Sequence, residues 1–559
     1  MRRENMSTLS ASLRLQAVEA PISQDRSRSA AAMAELFGPL DGLLRGGGDP
    51  RLDIDPTSGA NEYGCQPFPC PGTLSFASST ATSISARAYA RAADARDSLM
   101  RSAIAIGIDG AFEARIEAMR DELKAHLGIS GTRADVIFAP SGTDAQLHAL
   151  FLTRALRGPA LTTVIVAADQ TGSGTADTAR GHHFRTATAN GVRVRKGEPI
   201  AGLAHSVASV ALPLFDDGGD FRPQTETDSR VLSAIEKLVA SGSNVLFQVM
   251  DSSKLGWRAP SEACLEEISV RWPQQVQVVV DACQMRLGRP RLRKYLDRGY
   301  LVIVTGSKFF AGPPFSGALL VPAVLSKALD AVPAIASGLR EYSSRSDWPM
   351  QWSALRARFP VRINFGQWLR WEAALEEIRA YYSVPDEFRL LALTTFRTGV
   401  ERIIASSPLL RPLPPQQKPE GAGADDEELA QTTIFPFAIR RGDRLFLSPS
   451  DCRKIYRGLA RDALDAVSAS GRGCAPEIAA KPCLIGQPVA LNEVEQGPVA
   501  ALRISASARL VTETWSLDPD TAHDNLQREL GHVGAIVSKI EWLLAHLDGL
   551  NVMEIPHAS

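Results

Sequence analysis

Three short runs in the sequence each place a reactive side chain at the end of a β-rich, apolar stretch. In Val278-Val279-Val280-Asp281-Ala282-Cys283-Gln284, a carboxylate follows three valines. An Asp at the C-terminal end of a buried strand points into the crevice where open α/β sheets bind ligands, and there it can keep a ring nitrogen protonated. In Ile303-Val304-Thr305-Gly306-Ser307-Lys308-Phe309-Phe310, an amine sits between small residues and aromatics. Burial disfavours the ammonium form, and a neutral amine can attack an aldehyde. In Ala139-Pro140-Ser141-Gly142-Thr143-Asp144-Ala145, a strand gives way to a helix with Ser141 as N-cap and Asp144 three residues on. The free N–H groups at such a helix start, with Gly142 allowing close approach, suit a phosphate. Taken singly, each run also has an ordinary structural reading: a helix-capping Asp, a surface Lys, a capped turn.

The order of the three is more specific than any one of them. A phosphate turn, a strand-end Asp and a strand-end Lys follow one another, with one short helical segment and one strand between Asp281 and Lys308. This arrangement resembles the fold-type I enzymes that use pyridoxal 5′-phosphate (PLP). The Asp-x-x-Gln pattern at Asp281 and Gln284, and Gly306-Ser307-Lys308 followed by a Gly-Pro-rich turn and the stretch Gly317 to Val321, resemble the class V aminotransferase and cysteine desulfurase-like group. The resemblance covers roughly residues 76 to 515.

The resemblance implies roles for particular residues. Lys308 would be the Schiff-base lysine and proton shuttle, and Asp281 would pair with the pyridine nitrogen. Gln284 would bond the ring phenolate oxygen. Ser141, Gly142 and Thr143 would bind phosphate, helped by Thr305 or Ser307. Arg503, in Ala501-Leu502-Arg503-Ile504-Ser505, would clamp the substrate carboxylate, since a guanidinium can give a carboxylate two parallel hydrogen bonds. The chain departs from the group where a His usually covers the ring. Here the strand runs into Asp169-Gln170-Thr171-Gly172-Ser173-Gly174, so Gln170, or else His182 or His183, is expected there. The Gly-rich run lacks the Lys of a P-loop. Cys483, in Lys481-Pro482-Cys483-Leu484-Ile485, lies two residues further from the following Gln-Pro step than a desulfurase cysteine does. It is expected to be buried in a strand.

The elements that must position these residues are legible from periodicity. Strands are expected at Val136–Ala139, Leu161–Ala168, Val207–Phe215, Asn244–Met250, Val276–Val280, Tyr300–Thr305 and Gly317–Val321, several apolar at every residue as for strands covered on both faces. Helical segments separate several of them. That alternation predicts an α/β domain with a mostly parallel sheet over 76–365. A smaller α+β domain is expected over 366–559, with helices at Trp368–Tyr382, Glu387–Ala405 and Ala522–Leu547 and a polar surface loop at 414–428. Residues 1–75 read as an N-terminal arm. Up to Gly46-Gly47-Gly48-Asp49-Pro50 it is expected to be mobile with one short helix, and 51–80 as loop.

Composition narrows the function. With 559 residues, more than one domain is expected. The 61 Lys+Arg nearly cancel the 62 Asp+Glu, so no broad basic face is implied and nucleic acid is not an expected partner. No stretch approaches the ~20 apolar residues of a membrane span, and no secretory signal is read at the N-terminus. The seven cysteines are scattered without a CxxC pair, which fits a reducing cytoplasm and no metal site. The resemblance implies PLP chemistry at the α-carbon of an amino acid or related amine, in a cytoplasmic homodimer with Gly312–Ser316 as the candidate subunit contact. An aminotransferase-type reaction stands first. A lyase or β/γ-replacement, or a carbon–carbon bond-forming step, stands second. A non-catalytic regulatory protein of the same fold stands last.

Overall fold

The computed structural model describes residues 27–547 apart from 49, 132–133, 204–206, 218, 333, 415–427, 430, 443–444, 463–475 and 492–496. Most of the loop expected at 414–428 lies outside the described residues, as does Cys474.

The larger sheet has seven strands: β2 (Ala134–Ala139), β3 (Leu161–Val166), β4 (Val207–Leu212), β5 (Asn244–Met250), β6 (Val276–Asp281), β7 (Leu301–Thr305) and β8 (Gly317–Pro322), in the order β2-β8-β7-β6-β5-β3-β4. Only β8 runs against the rest. The α/β class with a mostly parallel sheet is therefore what the chain adopts, and each strand lies within a few residues of its expected limits. The central strands β3, β6 and β7 carry Val, Leu and Ile on both faces and are buried on both. The edge strand β4 differs: it pairs only with β3, and Ala208, Ser209 and Ala211 meet solvent.

Register decides where the chemistry falls. Met250 lies beside Asp281, and Asp281 beside Ile303. Gly317, which starts the reversed strand, lies beside both Thr305 and Ala139. The C-terminal ends of β2, β5, β6 and β7 thus share one edge, and the residues that follow them emerge together.

The smaller sheet holds β1 (Leu74–Phe76), β9 (Leu410–Pro412), β10 (Ile434–Arg441), β11 (Leu445–Phe446), β12 (Cys483–Leu491) and β13 (Val499–Ser505), ordered β1-β12-β13-β10-β11 with β9 also on β10. β1 belongs to the segment read as loop, yet it runs parallel beside β12, Leu74 opposite Cys483. The helices Phe365–Tyr382, Asp386–Ser406 and Pro519–Ala545 match the three expected ones and pack beside this sheet or between the two.

The mobile arm expected up to residue 50 is corrected over its described part. A helix over 27–36 and a second at Leu40–Arg45 bury Leu36, Leu40, Leu43 and Leu44. The glycines that suggested mobility are instead a close-packed contact. Arg370, almost wholly buried, donates to the carbonyls of Leu44 (2.8 Å), Gly46 (2.7 Å) and Gly47 (3.2 Å). A Cβ on Gly366 would stand 1.9 Å from the Gly46 oxygen. No helix among the described residues is long and apolar enough to cross a membrane.

Candidate active site

A cleft of about 370 Å³ opens at the shared strand edge. Ser141, Gly142, Thr143, Gln170, Asp281, Gln284, Thr305, Ser307, Lys308 and Arg503 all line it, so the fold brings together the residues expected to bind cofactor and substrate carboxylate. His182 and His183 are not among its lining; the His183 ring instead meets Tyr342 Oη at 2.6 Å.

The helix Gly142–Arg157 starts at the cleft. Ser141 Oγ accepts from the Asp144 N–H (3.2 Å) and donates to its carboxylate (2.5 Å), the first half of the expected capping box. The N–H groups of Gly142 and Thr143 are left facing the cleft at the positive end of the helix dipole. The turn is packed from below: a Cβ on Gly142 would come within 2.5 Å of Cys283 Sγ, and one on Gly317 within 2.3 Å of the Ser141 carbonyl carbon.

Asp281 ends β6 with both oxygens engaged. The Cys283 N–H reaches Oδ1 at 3.1 Å and Gln146 Nε2 reaches Oδ2 at 3.3 Å, which fixes the carboxylate plane. Gln284 is oriented by a residue that sequence reasoning did not single out. Arg286 Nη1 donates to Gln284 Oε1 at 2.9 Å, and since a guanidinium only donates, the Gln284 NH2 must point the other way. Arg286 is itself buried and also bonds Thr433, Ser78 and the Ala506 carbonyl, so one side chain ties β6 to both ends of the smaller sheet's surroundings. Burial, then the charge of Arg503, pushes its ionisation down to about 9.

Lys308 follows β7 with φ of 62°, and Ala311 and Phe315 also sit in the left-handed region. Three non-glycine residues held there within eight positions are strained backbone, which persists only where the surroundings impose it. Lys308 lines the cleft, and among the described residues its amine has no hydrogen-bond partner. Removal from water pushes its proton affinity down, against the opposing pull of Cys283 and Asp281. Thr305 spends its hydroxyl proton on the Cys283 carbonyl (2.7 Å). Ser307, whose hydroxyl has no recorded partner, is the better donor to a ligand of the two.

Gln170 reaches the cleft from the turn after β3, with Ala167 at φ of 57° bending the chain. It is 1% exposed, and among the described residues neither amide atom has a hydrogen-bond partner. A buried primary amide left unmatched is unfavourable by itself, so a ligand or a water in the cleft would complete it.

Arg503 of β13 comes from the smaller sheet. Its Nε and Nη2 donate to the Gln487 carbonyl (3.2 and 3.0 Å), and Nη1 to the Lys254 carbonyl (3.0 Å). The Gln487 carbonyl is turned onto it by a bulge in β12 between Gly486 and Val489, and Gly486 leaves the room: a Cβ there would lie 2.9 Å from Arg503 Nε. Three of five N–H groups are thus fixed, leaving one on each terminal nitrogen for a ligand. Lys254 also lines the cleft and escaped the sequence reading. It stands in the loop after β5, beyond Met250, the position that the strand-end rule behind Asp281 reads, so that rule passes over it.

No known family pattern matches the sequence, and no curated protein does either. Among solved structures the chain is similar to a NifS-like protein (13% identity, 82% of this chain and 98% of that one, TM-score 0.45), to Oryza sativa TDC with PLP (14%, 83% and 85%, 0.45) and to the cysteine desulfurase CsdA from Escherichia coli (13%, 82% and 95%, 0.42). At such identities the chemistry has to be argued from the cleft's own side chains.

Two expectations need comment. Cys483 lies in β12, 1% exposed and outside the cleft lining, as expected. The turn Gly312–Ser316, expected to meet a second subunit, is buried within this chain: Arg370 Nε donates to the Phe315 carbonyl (3.0 Å), and Arg51 lies over the Phe315 ring. Any subunit contact must use another surface.

Proposed function

We propose that this chain is a PLP-dependent enzyme acting at the α-carbon of an amino acid, with an aminotransferase-type reaction as the first expectation. The observation that carries the reading is Lys308. A strained backbone presents a partly desolvated, unbonded amine to a cleft that also holds a strand-end carboxylate and a helix start with free N–H groups. The residues fit the cofactor at each end. Gly142, Thr143 and Ser307 offer donors for its phosphate, Asp281 an acceptor for its ring nitrogen, and the Gln284 NH2 a donor for its phenolate oxygen. The orphaned amide of Gln170 gains a partner when the cleft is filled.

When bound, PLP supplies a protonated pyridine ring that takes up the electron pair left at the substrate α-carbon. The protein does the rest. Asp281, with its carboxylate plane fixed, favours the proton on the ring nitrogen. Arg503 turns its two remaining N–H groups to the substrate α-carboxylate. Lys308 Nζ, whose hold on a proton burial weakens, takes a proton from the α-carbon and returns it. A cysteine desulfurase reaction is not favoured. Among the described residues the cleft's cysteine is Cys283, whose thiol burial pushes well up, so no thiolate is offered. Sulfide release from L-cysteine that collapses in Cys483→Ser would reverse this part of the reading. A homodimer, the commonest closed assembly, is also inferred; light scattering checks it.

The test is reconstitution with PLP followed by visible spectroscopy. Wild type should acquire a lysine-bound absorption band, and Lys308→Ala should lack it and lose turnover. A variant that keeps both overturns the assignment.

A further inference from the structure

The loop after β5, Asp251-Ser252-Ser253-Lys254-Leu255-Gly256, is built to fix the backbone from which one long side chain enters the cleft. Ser253 Oγ accepts from the Leu255 and Trp257 N–H groups (3.2 and 3.0 Å), and the Ser253 N–H bonds the Trp257 carbonyl (2.7 Å). Asp251, which opens the loop, is anchored by Tyr295 Oη at 3.0 Å and by Arg291. At the centre stands Lys254. Its carbonyl accepts from Arg503, and its amine lines the cleft.

The charges around that amine are of the wrong sign for a structural lysine. Arg503 bears on it first, then Lys308 while its amine is free and protonated, and the opposing carboxylate is Asp169, which accepts from the Leu214 N–H (3.0 Å). Among the described residues no carboxylate comes within ion-pair distance of it, and its amine has no hydrogen-bond partner. Like charges held together in a partly desolvated cleft are unfavourable unless an anion joins them. Arg503 has one pair of N–H groups left, enough for one carboxylate. With the PLP phosphate assigned to Gly142, Thr143 and Ser307, a second cation beside Arg503 has no use for a substrate with a single negative group.

We propose that Lys254 binds a second anionic group on the substrate side chain, so that the cleft selects amino acids with an acidic side chain, carboxylate or phosphate. This rests on the reading of the cleft as a PLP-bound amino-acid site.

The experiment uses full-length, PLP-loaded protein. L-aspartate, L-glutamate and O-phospho-L-serine are titrated against L-alanine and L-glutamine, with affinities read from the cofactor's visible spectrum and from calorimetry. The acidic amino acids should bind roughly ten- to hundredfold more tightly than the neutral ones, the span of a charged hydrogen bond. Phosphoserine against the two dicarboxylates tells which anion is preferred. Lys254→Met should remove that preference and leave L-alanine affinity within about twofold, whereas Lys254→Arg should keep it. Wild type that takes up PLP but shows no acidic preference overturns the inference alone. So does Lys254→Met weakening L-alanine as much as L-glutamate, because Lys254 would then serve the α-carboxylate. Failure to bind PLP at all removes the underlying reading with it.

Discussion

Lys254 also has a consequence for stability. Burial first, then Arg503 and Lys308, pushes its ammonium down to about 8 from the ordinary 10.5. Below the lower value folded and unfolded chains both carry the proton, and the folded state bears the whole penalty. Between the two values the unfolded chain binds more protons, so folding stability rises with pH. Lys254→Met should therefore be more stable than wild type near about pH 7, with the gap closing toward about pH 10. Thermal melts of PLP-free protein across that range measure it; a gap that does not change with pH refutes the assignment. Residues legible in the sequence were those following apolar strands in a known order, such as Asp281 and Lys308. Arg286 was not legible, because its role lies in partners far along the chain, Ser78, Thr433 and Ala506. Arg286→Met should weaken PLP binding through Gln284, while Gln284→Ala should make little further difference in that background, a non-additive pair that PLP titration of the double variant would reveal.

At the scale of elements, the helix Gly142–Arg157 is the part whose start must be kept clear. Gly142→Ala would drive a methyl into Cys283 Sγ and should lower PLP affinity roughly tenfold or more. Adding Cys283→Ala removes the sulfur and leaves Thr305 Cγ2 at 3.5 Å and the residue 283 Cβ at 3.8 Å, both ordinary contacts, so affinity should recover. If the double variant binds PLP no better than the single, the contact is not the cause. Ser141→Ala tests the cap separately and should lower stability by about 1 kcal/mol. Strands and long helices were legible because their apolar periodicity is local, as with Asn244–Met250, which spans the residues expected of it. β1 was not, since three residues in a Pro- and Gly-rich stretch carry no period, and only the partner β12 makes them a strand.

For the whole molecule, the folded part of the N-terminal segment acts as structure. Deleting the chain through residue 48 would strip Arg370 of three carbonyl partners and leave a guanidinium buried against the core. The loss should be on the order of 3–5 kcal/mol, enough to remove much of an ordinary domain's stability. Denaturant unfolding of the truncated protein checks this, and a truncated chain as stable as the full one would show the segment to be dispensable. The sequence misled here because three consecutive glycines signal mobility by composition. The same glycines also let the backbone lie flat against Gly366, which only the packed structure reveals.

The parallel pairing of β1 with β12 bears on biosynthesis. Leu74–Phe76 leaves the ribosome well before its neighbour at Cys483–Ile485, with the whole larger sheet made in between. Until then the smaller sheet lacks its centre, and an apolar strand waits with its backbone groups unpaired, open to the wrong partner. Closing so long a loop is also slow. A nascent chain stalled before residue 483 should thus be the form most dependent on chaperones, even with every strand of the larger sheet already made.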